Sequence, residues 1–150
     1  MHVLIVGASG LIGKALAARL AAGGDAVTGT TRSGPDLSLP SVGWIDLDLR
    51  DAISQNTWTP HLQKVDAVVN CAGVLQDGPR DATSAVHAGA PTALYRACER
   101  AGVRRVIQLS AIGVERETPT AFSQTKLDGD RALMASELEW VILRPSVVTG

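Results

Sequence analysis

The segment Gly7–Gly13 reads GASGLIG, follows a short apolar run and opens a stretch with helical spacing, Leu11–Ala22. Its three glycines have different uses at a strand-to-helix junction. Gly7 permits a sharp turn, Gly10 lets the backbone approach a bound group closely, and Gly13 lets the helix pack against the strand. The first N–H groups of a helix have no partner within the helix and attract anions. The segment therefore predicts a strand, a tight glycine turn and an anion-binding helix start.

Six short apolar runs recur along the chain and predict six strands. Each run is too short for a helix and is rich in β-branched residues or leucine, which is typical of strands buried on both faces of a parallel sheet. The runs are Val3–Val6, Ala26–Thr30, Val42–Leu47, Ala67–Asn70, Arg105–Leu109 and Trp140–Leu143.

Helical spacing separates most of these runs. The predicted helices are Leu11–Ala22, Thr57–Lys64, Asp81–Arg100 and Phe122–Ser136. The first is expected to turn inward a stripe formed by Leu11, Ala15, Leu16 and Leu20. Pro91 lacks an N–H group, so it either bends the third helix or marks a new first turn. Strands and helices that alternate with short connections predict a doubly wound parallel sheet, the three-layer α/β Rossmann fold, in one domain over residues 1–150.

The composition disfavours several classes of protein. The 14 Lys and Arg are balanced by 15 Asp and Glu, which is unlike a nucleic-acid-binding domain. Cys71 and Cys98 have no CxxC spacing and indicate a reducing compartment. No apolar run approaches the ~20 residues that span a membrane, so a cytoplasmic location with no membrane partner is expected. His2, His61 and His87 have no metal-ligand spacing, and no metal site is predicted.

The end of the second predicted strand distinguishes between two dinucleotides. The glycine segment, in its strand-to-helix context, predicts a dinucleotide site, and NAD sites usually carry an acid at the end of the next strand to bind the ribose 2′-OH. Here the strand ends in TTRS at 30–33, without a carboxylate. Arg32 can pair with a 2′-phosphate, and Ser33 can add a donor. The sequence therefore favours NADP over NAD, with a solvated loop arginine as the alternative for Arg32.

Five ordered motifs resemble those of the short-chain dehydrogenase/reductase superfamily. The chain looks closest to its extended or atypical branch, which includes NmrA-like proteins, nucleotide-sugar-epimerase-like proteins and the Rossmann subunit of respiratory complex I. The motifs are GASGLIG at 7–13, DLRD at 48–51, NCAG at 70–73, LSAIG at 109–113 and RPSVVTG at 144–150. The resemblance implies an oxidoreductase or epimerase-like protein that acts on a small molecule.

The resemblance also implies individual roles. Phosphate binding would fall to Ser9, Gly10, Leu11 and Ile12. Adenosine would be contacted by Asp48, Leu49, Asn70, Ala72 and Gly73. Near the nicotinamide, the resemblance implies a catalytic Ser110, a ribose-binding Lys126 and a pocket lined by Pro145. Structural alternatives stay open for four of these residues: Asp48 as a cap, Asn70 as a turn former, Ser110 as a partner of backbone groups and Lys126 as a solvent-facing lysine.

The chain departs from the superfamily at the usual proton donor, the tyrosine of Tyr-x-x-x-Lys. Phe122 stands four residues before Lys126, so the spacing is kept but the phenol is missing. Three options remain: binding of NADP(H) without turnover, Lys126 as the acid or base, or a relay through Ser110 or Ser123.

The superfamily's C-terminal substrate region is also expected to be absent from this chain. The two hypotheses are an NADP-dependent oxidoreductase or epimerase-like enzyme and a non-catalytic NADP(H) sensor or assembly scaffold. A homo-oligomer is also considered, because the Val141–Val148 region is expected to expose an apolar edge.

Overall fold

The computed structural model describes residues 1–150, and a six-stranded parallel sheet forms its centre. The strands are β1 (His2–Val6), β2 (Ala26–Thr31), β3 (Val42–Asp46), β4 (Ala67–Asn70), β5 (Arg105–Leu109) and β6 (Glu139–Leu143). Their order in the sheet is β3-β2-β1-β4-β5-β6, so the chain winds outward from β1 in both directions. The predicted fold class and all six strands are confirmed. The third strand ends one residue earlier than predicted, at Asp46.

Four α-helices connect the strands. They are α1 (Leu11–Ala22), α2 (Gln55–Trp58), α3 (Ala90–Ala101) and α4 (Ala121–Met134), and a 3₁₀ turn at Thr59–His61 follows α2. The predicted helix at Thr57–Lys64 is thus an α-helical turn followed by a 3₁₀ turn that begins and ends earlier. None of the helices combines the length and apolar character that crossing a bilayer requires.

The predicted helix Asp81–Arg100 begins two residues later in the structure, at Thr83, and its first part is not regular α-helix. A π-helical turn at Ala85–Gly89 precedes α3, in which Pro91 lies in the first turn. Pro91 has no N–H to bond the carbonyl four residues earlier, and in this wider turn the Ala90 N–H bonds to the Ala85 carbonyl instead. The second alternative for Pro91, a new first turn, is therefore the one that the structure adopts.

The buried face of α1 also differs from the predicted stripe. Gly13 and Ala17 are its buried residues, whereas Leu11 is 56% exposed and Ala15 is exposed. Small residues face the sheet because the helix lies almost against the preceding turn, and a Cβ at Gly13 would overlap the Gly7 carbonyl oxygen. This close approach brings the start of α1 to the carboxyl edge of the sheet.

Both faces of the sheet are covered by apolar side chains. Leu4 and Val6 of β1 belong to the larger core cluster, with the inward residues of α3, and Val3 and Ile5 belong to a smaller cluster with Ala17 of α1. At the edge of the sheet, β6 exposes three large apolar side chains: Trp140, Val141 and Leu143.

Candidate functional site

The glycine turn between β1 and α1 presents unpaired N–H groups at the carboxyl edge of the sheet. Gly7 has a φ of +76°, and its N–H donates to Thr30 Oγ1 at 2.9 Å. The first backbone hydrogen bond of α1 runs from Lys14 N–H to the Gly10 carbonyl, so the N–H groups of Leu11, Ile12 and Gly13 have no partner. Because β2 and β4 flank β1 on opposite sides, this turn lies at the switch point of the sheet, where such folds bind ligands.

A cavity of about 190 Å³ lies beside this turn. It brings together segments that are far apart in the sequence, from the ends of β1, β2, β3 and β4. The lining residues are Gly7, Ser9, Gly10, Thr30, Thr31, Arg32, Leu47, Asp48, Leu49, Cys71, Ala72, Gly73, Val74 and Val86. Most residues predicted to contact phosphate or adenosine therefore line one cavity, which we call the first cavity.

A second cavity, of about 290 Å³, lies on the other side of the turn. It shares Gly10, Cys71, Gly73 and Val74 with the first cavity. Its other lining residues are Leu11, Ile12, Leu75, Leu109, Ser110, Phe122, Lys126 and Val148. Both predicted catalytic residues thus face the same space as Phe122.

Three of the predicted site residues line neither cavity. Gly13 is buried beneath the turn. Asn70 donates to Gln108 Oε1 at 2.8 Å and accepts the Ala72 N–H at 3.2 Å, so its side chain braces the turn after β4. The carbonyl of Pro145 accepts the Ile112 N–H at 3.0 Å. Direct contacts of these residues with a cofactor stay predictions.

Lys126 is buried rather than solvent-facing. Its ammonium group donates to the Leu109 carbonyl at 2.9 Å and to the Ala72 carbonyl at 3.4 Å. Burial lowers the pKa of Lys126, and the nearby carboxylate of Asp130 opposes that effect. An ammonium group has three donors, so one N–H remains for a ligand hydroxyl in the second cavity.

The Ser110 hydroxyl donates its hydrogen bond to a buried carboxylate. Its Oγ donates to Asp130 Oδ2 at 2.7 Å, and Arg144 Nη2 donates to the same oxygen at 3.1 Å. Asp130 is fully buried, and its other oxygen has no hydrogen-bond partner. Only the lone pairs of Ser110 Oγ therefore remain for a ligand. Sequence reasoning missed Asp130, although a carboxylate four residues after Lys126 on a helix face that buries Leu127 and Leu133 was a usable signal.

The Phe122 ring packs edge-on against His87, with ring centroids 5.4 Å apart. His87 Nε2 accepts the Val74 N–H at 3.0 Å, and Nδ1 pairs with Thr125 Oγ1 at 2.9 Å. Burial, aided by the charge of Lys126, lowers the pKa of His87 to about 4. The ring is thus a neutral support for the segment that follows β4, a role that the sequence did not reveal.

No tyrosine replaces the missing phenol. Tyr95, the one tyrosine of the chain, is 2% exposed and donates to Gln108 Oε1 at 2.7 Å within the core. Burial raises its pKa, and its position in the core makes it a packing residue. The hydroxyl of Ser123 is not free to donate to a ligand either, because it takes part in a capping box with Thr120 at the start of α4.

Two arginines hold the exposed segment Asp77–Asp81, which we call the strap, at the mouth of the first cavity. Arg32 Nη1 donates to Asp81 Oδ1 at 2.9 Å and to the Arg80 carbonyl at 2.7 Å. Arg50 Nη1 donates to the Pro79 carbonyl at 3.3 Å. No motif or spacing in the sequence predicts this strap.

Asp48, which lines the first cavity, is paired with a neighbouring arginine. The Arg50 guanidinium contacts both oxygens of Asp48 at 2.6–3.1 Å and holds the pKa of that carboxyl below its usual range. Its Oδ1 also accepts the Arg50 N–H at 2.9 Å and closes an Asx turn. The next helix, α2, is capped by Ser54, so Asp48 is not a helix cap.

A glycine turn with free N–H donors, a parallel sheet wound outward from β1 and two adjoining cavities define a dinucleotide-binding Rossmann domain. Residues 7–150 match a family model described as NAD(P)H-binding, and the chain belongs to this family. The family match agrees with the resemblance to the short-chain dehydrogenase/reductase superfamily, and solved structures at 24% identity share the fold.

Two relatives are similar over nearly the whole of this chain. An uncharacterised protein of Mycobacterium tuberculosis (strain ATCC 25618 / H37Rv) is 27% identical over 150 residues, which are 100% of this chain and 15% of the relative. The dTDP-4-dehydrorhamnose reductase of Mycolicibacterium smegmatis is 29% identical over 165 residues, which cover 98% of this chain and 46% of the reductase.

A solved structure supports the fold. UDP-glucuronic acid 4-epimerase from Bacillus cereus, in complex with NAD, superimposes with a TM-score of 0.81 at 23% identity, covering 100% of this chain and 58% of that chain. The present chain thus spans less than two thirds of each of these three proteins.

Proposed function

We propose that this domain binds NADP(H) as the dinucleotide-binding part of an oxidoreductase or epimerase-like protein. The observation that carries the proposal is the position of Arg32, which lines the first cavity directly after β2, where an NAD site usually carries an acid in the sequence. The similar epimerase structure holds NAD, so the preference for the phosphorylated cofactor rests on Arg32.

The residues present fit such a cofactor. The free N–H groups of Leu11 and Ile12 would bind the pyrophosphate, and Lys126 would donate to the nicotinamide ribose. Arg32 would pair with the 2′-phosphate at the far end of the first cavity. When bound, the nicotinamide would supply a hydride donor or acceptor on the side of the second cavity.

The first prediction concerns Arg32→Ala. NADPH is expected to bind more tightly than NADH to the unmodified chain, and Arg32→Ala is expected to remove most of the difference. A charge-assisted bidentate contact contributes ~1.5–3 kcal/mol, or roughly 10–150-fold in affinity. Calorimetric titration with both cofactors measures this difference. Arg100→Ala, at the end of α3, is the matched control, and equal or stronger binding of NADH by the unmodified chain contradicts the proposal.

A second candidate function is non-catalytic NADP(H) sensing or assembly. It is favoured by the lack of a free hydroxyl donor in the second cavity, because Phe122 has no hydroxyl and the Ser110 proton is held by Asp130. A general acid contributes ~10²–10⁴-fold to such reactions, so its absence leaves binding largely intact and removes most of the turnover.

A turnover assay tests the catalytic candidate. With dTDP-4-dehydrorhamnose as the probe and the M. smegmatis reductase as the positive control, NADPH absorbance is expected to stay at the background rate with this chain. Calorimetry on the same sample is expected to show NADPH binding. Turnover that disappears in Lys126→Ala would instead establish an enzyme that uses Lys126.

A further inference from the structure

The pair formed by Arg32 and Asp81 lies where the 2′-phosphate is proposed to bind. Their side chains are 44% and 33% exposed. An ion pair with this exposure contributes little stability, because water and salt screen it. A more highly charged ligand can therefore replace the carboxylate on Arg32 at small cost.

The strap presents the Asp81 carboxylate in a defined position. An antiparallel bridge joins Gly78 and Asp81 through backbone hydrogen bonds of 2.9 and 3.2 Å. Asp77 Oδ1 accepts the N–H of Thr83 at 2.6 Å and its hydroxyl at 3.0 Å, which ties the strap to the start of the following helical segment. The carboxylate is thus held beside Arg32 by backbone contacts on both sides.

We propose that Asp81 is an internal competitor of the 2′-phosphate and limits the preference for NADP(H) over NAD(H). A phosphate monoester carries about two negative charges, so it gains more from Arg32 than a carboxylate does, but it must first displace Asp81. NAD(H) has a hydroxyl at this position and leaves the pair intact. This inference rests on the proposed function, because it assumes that Arg32 binds the 2′-phosphate.

Of the acidic residues near Arg32, Asp81 is the one that forms an ion pair with its guanidinium group. Asp48 is bound on both oxygens by Arg50 and interacts with Arg32 only through its charge, without a hydrogen bond. Arg50 is occupied in the same pair and by the Pro79 carbonyl. Asp51 is an exposed acid near Arg50 and makes no hydrogen bond or ion pair with Arg32.

Two mononucleotides test the inference without a nicotinamide or a substrate. The probes are 2′,5′-ADP, which carries the 2′-phosphate, and 5′-ADP, which has a free 2′-hydroxyl. Calorimetry on Asp81→Asn is expected to show 2′,5′-ADP binding about fivefold tighter than in the unmodified chain, since fivefold corresponds to ~1 kcal/mol. Binding of 5′-ADP is expected to change by less than about twofold. The gain is expected to shrink as salt is raised.

Control variants separate the role of Asp81 from a general charge effect. Asp51→Asn removes one negative charge nearby and is expected to change both affinities by less than about twofold. In an Arg32→Ala background, Asp81→Asn is expected to give no gain, because the competition needs Arg32. If a thermal melt shows that Asp81→Asn does not fold, Asp81→Ser replaces it, with the same expected gain in affinity for 2′,5′-ADP.

The outcomes distinguish two kinds of failure. Unchanged binding of 2′,5′-ADP in both Asp81 variants overturns the inference, and weaker binding of 5′-ADP also overturns it, because Asp81 would then hold the 2′-hydroxyl. If Arg32→Ala does not affect 2′,5′-ADP, the proposed function itself fails. An Arg32 effect without an Asp81 effect contradicts only the inference.

Discussion

Gly13→Ala is expected to destabilise the domain by about 3 kcal/mol and to abolish dinucleotide binding. The new Cβ would overlap the Gly7 carbonyl oxygen and lie 2.9 Å from Ala8 Cα. These are backbone atoms that cannot rotate away, and overpacking of this kind costs ~1–3 kcal/mol or more. Helix α1 must therefore move off the sheet and carry the N–H groups of Leu11 and Ile12 away from the cavities. Urea unfolding measures the first effect, and calorimetry with NADPH measures the second.

Gly10→Ala is the matched control for this prediction. A Cβ at Gly10 meets only the Gly7 carbonyl oxygen, at 3.4 Å, and its φ of −77° suits any residue. The expected loss of stability is about 1 kcal/mol or less, from the poorer N-cap. Binding is nevertheless expected to weaken, because the methyl group faces the proposed phosphate position. If Gly13→Ala were as stable as Gly10→Ala, close helix packing would not be the reason for glycine at position 13.

Protonation of His87 is expected to lower the stability of the domain by about 3 kcal/mol between pH 6.5 and pH 4. The pKa of His87 falls from 6.5 in the unfolded chain to about 4 in the folded one. In this interval the unfolded state binds more protons than the folded state, so stability is greatest above pH 6.5 and is lost as the pH falls. Protonation would place a hydrogen on Nε2, which already accepts the Val74 N–H.

The measurement is a series of urea unfolding curves between pH 7 and pH 4. Carboxylates also titrate in this range, so the contribution of His87 is the difference between the unmodified chain and His87→Gln. His87→Gln is expected to lose about 3 kcal/mol less stability over the interval than the unmodified chain. His61→Gln, at a less buried histidine of the 3₁₀ turn, is expected to follow the unmodified chain. Identical pH dependence in His87→Gln and the unmodified chain would show that the buried ring is not the source of the acid sensitivity.

The errors in the sequence analysis have identifiable physical causes. The stripe predicted for α1 followed the large apolar side chains, but the closest packing is at Gly13, so the helix turned Leu11 outward. The π-helical turn inside the third predicted helix was not anticipated, because hydrophobic spacing does not distinguish one wider turn from an α-helical turn. For Asp48 and Asn70, the sequence placed the residues at the carboxyl edge of the sheet but did not reveal their partners, Arg50 and Gln108.

The strand and helix pattern and the glycine turn can be predicted from the amino-acid sequence, because they depend on hydrophobic periodicity and on local backbone freedom. Which charged groups meet depends on how the elements pack in the folded domain. Arg32 and Asp81 are 49 positions apart, and Ser110 and Asp130 are 20 apart. Such contacts act over a few ångströms and leave no local pattern in the chain. The fold could therefore be predicted from the sequence, whereas the competition at Arg32 and the buried carboxylate behind Ser110 could not.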